Sequence, residues 1–246
     1  MKSEFVNFGN VNNIGDAILL ENIKNVFRKI SSAAIRSGRN PFDVKLIAAT
    51  KTVPPERIKA AVELGLRAIG ENRVQEAKGK IAYCKANCAD CNIEWHMIGH
   101  LQKNKVKTAV ELFDLIHSLD SIELAALLNK YAEKAGKIQK VLIEVKLSEE
   151  ATKYGVKKED LFHLIESVYG MSNLKLEGLM TIPPYFENPQ MSQPYYRHLR
   201  YLRDEVEKKG FKLPELSMGM TNDYEIAILE GATMVRIGTG IFGQRK

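Results

Sequence analysis

The sequence predicts an α/β protein folded as one (β/α)8 TIM barrel preceded by an N-terminal helix. Three observations carry that expectation. Strand-like and helix-like segments alternate from residue 45 to the end of the chain, and eight strand patterns can be counted. The length of 246 residues matches the usual size of such a barrel, about 250 residues. No linker rich in Pro, Gly or Ser breaks the alternation, so residues 1–246 are expected to form a single domain. An open, doubly wound sheet is the main alternative, and the strand count together with the length favours the barrel.

From Asp16 to Ser37 the spacing of Ile23, Val26, Phe27 and Ile30 predicts an amphipathic helix, which Gly38 ends. The run Lys45-Leu-Ile-Ala-Ala-Thr50 has the length and apolar content of a buried strand, and Lys51 closes it. Thr52-Val-Pro-Pro55 follows as a turn. Its two prolines pre-set the first turn of a helix over 54–64, striped by Ile58, Ala61 and Val62. Further strands are expected at 67–70, 95–99, 114–118, 141–147, 176–181, 214–217 and 233–237. Helices are expected between them at 72–84, 103–111, 121–135, 157–169, 194–209 and 221–229. Gly65, Gly136, Gly170 and Gly210 stand where C′ glycines are expected.

Composition excludes several function classes. The net charge of +6 arises from 36 basic and 30 acidic residues spread along the chain. The densest basic stretch, Lys103-Asn-Lys-Val-Lys107, is short and lacks aromatics, so it reads as a solvated helix face and no nucleic acid is expected. The first 20 residues contain Lys2, Glu4 and Asp16 and no apolar core of a secretion signal. No run of 18 apolar residues exists, so no membrane span is expected and the cytoplasm is the expected location. A mildly basic surface suits a phosphorylated small molecule.

Two features carry chemistry. In a barrel the carboxyl ends of the strands form the active face, which makes Lys51 a reactive-amine candidate rather than a solvated strand cap. The loops after the seventh and eighth expected strands, where such barrels often bind phosphate, read Ser217-Met-Gly-Met-Thr-Asn222 and Arg236-Ile-Gly-Thr-Gly-Ile-Phe-Gly243. Each offers glycines that let backbone N–H groups approach an anion, and hydroxyls from Ser217, Thr221 or Thr239. Residues 238–243 also spell G-x-G-x-x-G, but a dinucleotide fingerprint needs a following helix and an acidic residue about 20 positions on. That reading fails. A lysine and a phosphate cradle on one rim suit pyridoxal 5'-phosphate, whose aldehyde condenses with an amine and whose phosphate takes backbone N–H donors.

Six blocks in order carry a resemblance over nearly the whole chain: Ala48-Ala-Thr-Lys51, Gly70-Glu-Asn-Arg-Val-Gln-Glu76, Trp95-His-Met-Ile-Gly-His-Leu-Gln-Lys-Asn-Lys105, Leu179-Met-Thr-Ile182, Leu216-Ser-Met-Gly-Met-Thr221 and Val235-Arg-Ile-Gly-Thr239. The sequence resembles the pyridoxal phosphate homeostasis proteins, single barrels similar to the N-terminal domain of alanine racemase. The resemblance implies a fold-type III cofactor barrel in which Lys51 carries pyridoxal phosphate as a Schiff base. It implies Asn72 near the cofactor's phenolic oxygen, with Ser217, Gly238 and Thr239 at its phosphate. Arg236 would face the pyridine nitrogen, where a permanent cation disfavours protonating that nitrogen. His96 and Met180 are candidates to line the pocket, with a satisfied core histidine the preferred reading of His96. Ile182-Pro-Pro departs from the family's usual loop, and residues 1–15 lie outside its core.

The function implied is binding of pyridoxal phosphate and its delivery to apoenzymes that require it, without efficient catalysis. A pyridoxal-phosphate-dependent amino acid racemase is the alternative, disfavoured because such enzymes draw a second base from an added β-domain and this chain ends seven residues after Thr239. A third class rests on Cys84, Cys88 and Cys91, spaced C-x3-C-x2-C like the cluster ligands of radical enzymes. Against it, Asp90 precedes the last cysteine, and the trio is expected on the face opposite Lys51. Surface or half-buried thiols without a metal are the preferred reading.

Overall fold

The computed structural model describes residues 14–88, 92–148, 150 and 154–244. Parallel strands form a closed ring in the order β1 (Lys45–Ala49), β2 (Ala68–Glu71), β3 (Glu94–Met97), β4 (Leu115–Leu119), β5 (Gln139–Lys146), β7 (Leu174–Met180), β8 (Glu215–Met220) and β9 (Met234–Ile237). Pairing of β4 with β5 and of β9 with β1 completes the ring, so the eight-stranded barrel has no edge. All eight expected strands are present, each displaced by a few residues at most. One more was missed: β6, the two residues Val156–Lys157, pairs outside the ring with β5.

Helices α1 (Ile14–Arg36), α2 (Pro55–Glu63), α3 (Val74–Asn87), α4 (Val106–Leu112), α5 (Ile122–Lys134), α6 (Leu161–Tyr169), α7 (Gln193–Lys208), α8 (Tyr224–Leu229) and α9 (Thr239–Phe242) form the outer layer. Their local causes match the sequence. Pro54 is the N-cap of α2 with Pro55 as its first residue, and the Ser121 hydroxyl accepts from the Leu124 N–H to cap α5. Gly65, Gly136 and Gly210 take the left-handed conformation after their helices, as expected. Gly170 does not: it is a C-cap with φ −77°. The helix expected over 103–111 begins as a 3-10 turn, Lys103–Lys105, and that expected over 157–169 yields its first residues to β6 and a turn. Lys103 and Lys107 are exposed, in keeping with a solvated basic stretch.

Strand register sorts the core into two layers. Facing pairs Ile47–Ala68, Ile47–Arg236, His96–Leu115 and Ser217–Met234 share the inner face. Within the barrel Ile47, Ala68, Leu115, Leu142, Met180 and Met234 form a small apolar cluster, and the inward His96, His117, Ser217 and Arg236 are also buried. Outward residues such as Leu46, Ile69 and Val235 pack under the helices in the larger cluster. Met180 and His96 therefore fill the barrel and do not line its upper cavity. Cys84 and Cys88 pack into the outer cluster at the end of α3, more buried than expected, and Cys91 lies outside the described residues. Residues 1–13 do too, while Ile14 and Gly15 already belong to α1. Among the described residues no helix is long and apolar enough to cross a membrane.

The lower mouth of the barrel carries opposed charges. Lys45 Nζ lies 2.6 Å from Glu94 Oε2. A hydrogen bond from His96, aided by Lys45, lowers the Glu94 carboxyl from 4.5 to about 2. A depressed carboxyl stabilises the fold above its unfolded value, and the contribution disappears as pH falls through the folded value. Glu94→Gln should therefore lower stability at neutral pH and flatten its fall between pH 4.5 and about 2, as read by urea denaturation at stepped pH. A second substitution tests the strand packing. A Cβ on Gly178 would lie 1.9 Å from the Glu215 carbonyl oxygen, whereas one on Gly38 would meet nothing. Gly178→Ala should cost more than about 4 kcal/mol, against about 1 kcal/mol for Gly38→Ala at its positive φ.

Candidate functional site

Lys51 follows β1 directly, half-buried at the carboxyl end of the barrel. Its backbone is held from below by a buried ion cluster. Lys80, on α3, donates all three ammonium protons: to the Thr50 carbonyl at 2.6 Å, to Glu71 Oε1 at 2.8 Å and to Glu76 Oε1 at 2.6 Å. Thr50 is wholly buried, and its hydroxyl lies between Glu71 Oε1 and the Gly70 carbonyl. Burial pushes the Glu71 carboxyl up against the opposing pull of Lys80 and Thr50. Burial would raise Glu76 as well, yet its bonds from Lys80 and from the Thr52 N–H bring it below its ordinary value. Thr52 has φ 64°, a costly conformation for a β-branched residue. Its N–H donates to Glu76 at 2.7 Å, so the same cluster holds the turn that aims Lys51.

Across the cavity, the turn after β8 meets the turn after β9. The Thr221 hydroxyl accepts from the N–H groups of Gly238 and Gly240 at 3.3 and 3.4 Å. Gly238 lies so close to β1 that a Cβ there would stand 3.1 Å from the Ala49 carbonyl oxygen. A single turn, α9, follows, and Asn22 on α1 donates to its Ile241 carbonyl at 2.9 Å. The N-terminal helix thus braces this wall from outside. The helix expected from Thr221 starts only at Tyr224, because residues 221–223 form a turn in which Asp223 Oδ1 accepts from the Met220 N–H.

Arg236 is 3% exposed, and its guanidinium reaches the cavity from within the barrel. It donates to Ser217 Oγ at 2.5 Å and to the Thr181 carbonyl at 2.9 Å. Burial lowers its basicity, and Tyr196, Glu144 and Asp223 act in the opposite sense. An arginine remains charged under such shifts.

The upper cavity measures about 590 Å³, within the usual range for small-molecule sites. It brings together Lys51, Asn72, Arg236, Gly238 and Thr239, five of the six residues singled out in the sequence. Ser217 is the exception. Its hydroxyl lies inside the barrel between Arg236 and His117, completely buried, and it does not line the cavity. Thr221 stands at the wall where Ser217 was expected. The altered loop after β7 supplies an apolar rim of Ile182, Pro184, Tyr185 and Phe186, tied across by Asn222 donating to the Phe186 carbonyl at 3.1 Å. Asn72 approaches the chain after β3 so closely that a Cβ on Gly99 would lie 2.5 Å from its carbonyl oxygen. Lys80, Asp223 and His117 were not singled out. The i, i+4 pair Glu76–Lys80 was the one signal available, and it reads equally as a surface pair.

Fold and site define a single barrel of the alanine racemase N-terminal type, with an amine, a buried arginine and a glycine–threonine wall on one rim. The chain belongs to the family alanine racemase, N-terminal domain, which matches residues 18–246, and within it to the pyridoxal phosphate homeostasis proteins. The pyridoxal phosphate homeostasis protein of Aquifex aeolicus is 49% identical over 227 residues, covering 92% of this chain and 98% of that one. PipY of Synechococcus elongatus PCC7942, solved with PLP bound, superposes with a TM-score of 0.80 at 35% identity, covering 92% of this chain and all of PipY (100%). Alanine racemase of Clostridium difficile 630 superposes with a TM-score of 0.71 at 15% identity, covering 99% of this chain and 63% of the racemase. That last likeness is one of fold alone.

The ion cluster gives a direct test. Lys80→Met would leave buried carboxylate oxygens without their cation, a loss of about 3–5 kcal/mol. Lys59→Met removes an exposed partner of Glu63 on the neighbouring helix and should leave the urea midpoint unchanged. Equal midpoints for the two variants would refute the role given to Lys80.

Proposed function

We propose that this protein binds pyridoxal 5'-phosphate through Lys51 in the cytoplasm and holds it for release to apoenzymes, without efficient turnover. The observation that carries the reading is the convergence of the Lys51 amine, Arg236 and the Thr221–Gly238–Thr239 wall on one cavity. The residues fit the cofactor's three polar edges. An amine at Lys51 meets its aldehyde, with Asn72 beside the phenolic oxygen. The Thr239 N–H, with the hydroxyls of Thr221 and Thr239, suits a phosphate, and Gly238, whose N–H now donates to Thr221, offers a further donor there. Arg236 donates to the pyridine edge.

When bound, the cofactor supplies an electron sink that is strongest with its ring nitrogen protonated. Arg236 can only donate and is permanently charged, so it opposes that protonation. This favours holding over turnover. The half-exposed place of Lys51 and the open rim at Tyr185, 80% exposed, favour exchange with solvent and with an acceptor protein.

Borohydride reduction of the loaded protein should fix one phosphopyridoxyl group on the peptide containing Lys51. Label on another lysine with none here would refute the assignment. Assayed across the proteinogenic amino acids, racemisation and transamination should stay far below the median enzyme turnover of about 10 s⁻¹. Transfer of cofactor to an apo acceptor should proceed. A rate near that median on any one amino acid would move the reading to a racemase.

A further inference from the structure

A line of polar side chains crosses the barrel interior from the upper cavity to the lower mouth. Arg236 Nη1 lies 2.5 Å from Ser217 Oγ, and Ser217 Oγ lies 2.9 Å from His117 Nδ1. His117 Nε2 lies 2.9 Å from His96 Nδ1, and His96 Nε2 lies 3.4 Å from Glu94 Oε2. Lys45 closes the line at 2.6 Å from Glu94. The line ends in a cleft of about 150 Å³ lined by Lys45, Glu94, His96 and Lys140. Ser217, His117 and His96 are at most 1% exposed.

Donor chemistry at Arg236 and the carboxylate at Glu94 set the direction of the line from its two ends. Arginine only donates, so the Ser217 oxygen accepts from Arg236 and its one proton is available to His117 Nδ1. Burial first, with the cations Arg236 and Lys45 acting in the same sense, holds His117 well below the ordinary histidine range, which makes it neutral at pH 7. A neutral imidazole that accepts at Nδ1 carries its proton on Nε2, facing His96 Nδ1. His96 must then carry its own proton on Nε2, toward the Glu94 carboxylate. The reverse direction would set a bare His96 nitrogen against that carboxylate and leave the Ser217 proton without a place in the line.

We propose that His117, His96 and Glu94 are positioning residues for Arg236: a one-way relay of donated hydrogen bonds fixes the guanidinium beneath the upper cavity and ties it to a carboxylate at the opposite mouth. The ligand-facing edge of Arg236 depends on the tautomer at His117 and on a charge at the far end of the barrel. This rests on the pyridoxal phosphate reading only for the identity of the ligand, since the relay is a property of the protein alone.

The test has two arms. Nitrogen NMR of the ligand-free protein labelled at histidine should show His117 neutral with its proton on Nε2 at pH 7, and His96 with no proton on Nδ1. A proton on Nδ1 of His117, or a charged ring there, overturns the relay. The second arm compares pyridoxal phosphate with an analogue bearing carbon in place of the ring nitrogen. Glu94→Ala, at a half-exposed site that spares the core, and His117→Leu should each weaken pyridoxal phosphate selectively. For His117→Leu the loss should be about tenfold or more, the scale of one hydrogen bond to a charged group. Equal losses for both ligands, or none, in a folded Glu94→Ala protein would overturn the proposal. A wild-type protein that binds neither ligand would refute the cofactor reading instead, and the tautomers would still decide the relay.

Discussion

Closure of the barrel through β4 and β5 is the constraint on which the rest depends. It removes both sheet edges and forces every inward side chain to share one enclosed axis. Residues far apart in sequence become direct partners there: His117 and Ser217, a hundred positions apart, meet at 2.9 Å. Closure also gathers the carboxyl ends of β1, β2 and β9 on one rim, which is why Lys51, Asn72 and Gly238 border a common cavity. An open sheet with the same strands would separate β4 from β5 and break the interior into two faces.

Among the described residues two cations are buried and satisfied differently, Lys80 on α3 outside that enclosure and Arg236 inside it. Lys80 spends its three protons on one carbonyl and two carboxylates beneath β1, a compact solution that also fixes the strained turn at Thr52. Arg236 is satisfied by neutral acceptors among the described residues. A hydroxyl and a carbonyl take two of its protons, and the compensating charges of Glu144 and Asp223 act through space. Its remaining N–H groups are therefore not all committed within the barrel. The first cation is structural because it is saturated. The second can face a ligand because it is not.

Much of this was legible in the sequence, and the failures have physical causes. Strand positions came through because apolar runs of fixed length between glycine-stopped helices leave few alternatives. The rim was legible because lysine, glycine and threonine at strand ends have few structural uses together. Ser217 stands off the cavity lining because of the geometry of β8. The motif locates it in the right strand, but its place three residues before the strand's end puts its hydroxyl inside the barrel. A register shift between Ser217 and Met220 further detaches sequence spacing from height along the axis. His117 carried no signal at all, since a histidine in a buried strand looks the same whether it fills space or orders a neighbour. Gly170 and the start of α4 were misjudged for a smaller reason: last and first turns fray between α and 3-10 geometry.

The interior line from Arg236 to Glu94 bears on why such a site would hold a ligand without consuming it. A group that exchanges protons with a ligand needs a neighbour whose basicity lies near the working pH. At Arg236 the titratable ring linked to it through Ser217, His117, is buried and held neutral. The polar route through the barrel therefore delivers orientation and field to the cavity floor, while its own protons remain committed to one direction. In the proposed reading, a cofactor above it meets a fixed cation on one side and the Lys51 amine on the other. Proton transfer at the bound molecule is then left to Lys51, to the cavity-lining Asp223 and Tyr185, or to water entering past the open rim. In the proposed reading, the same opening that lets water in lets the cofactor leave. Closing that rim would, in the same reading, be the structural step toward a barrel built for turnover.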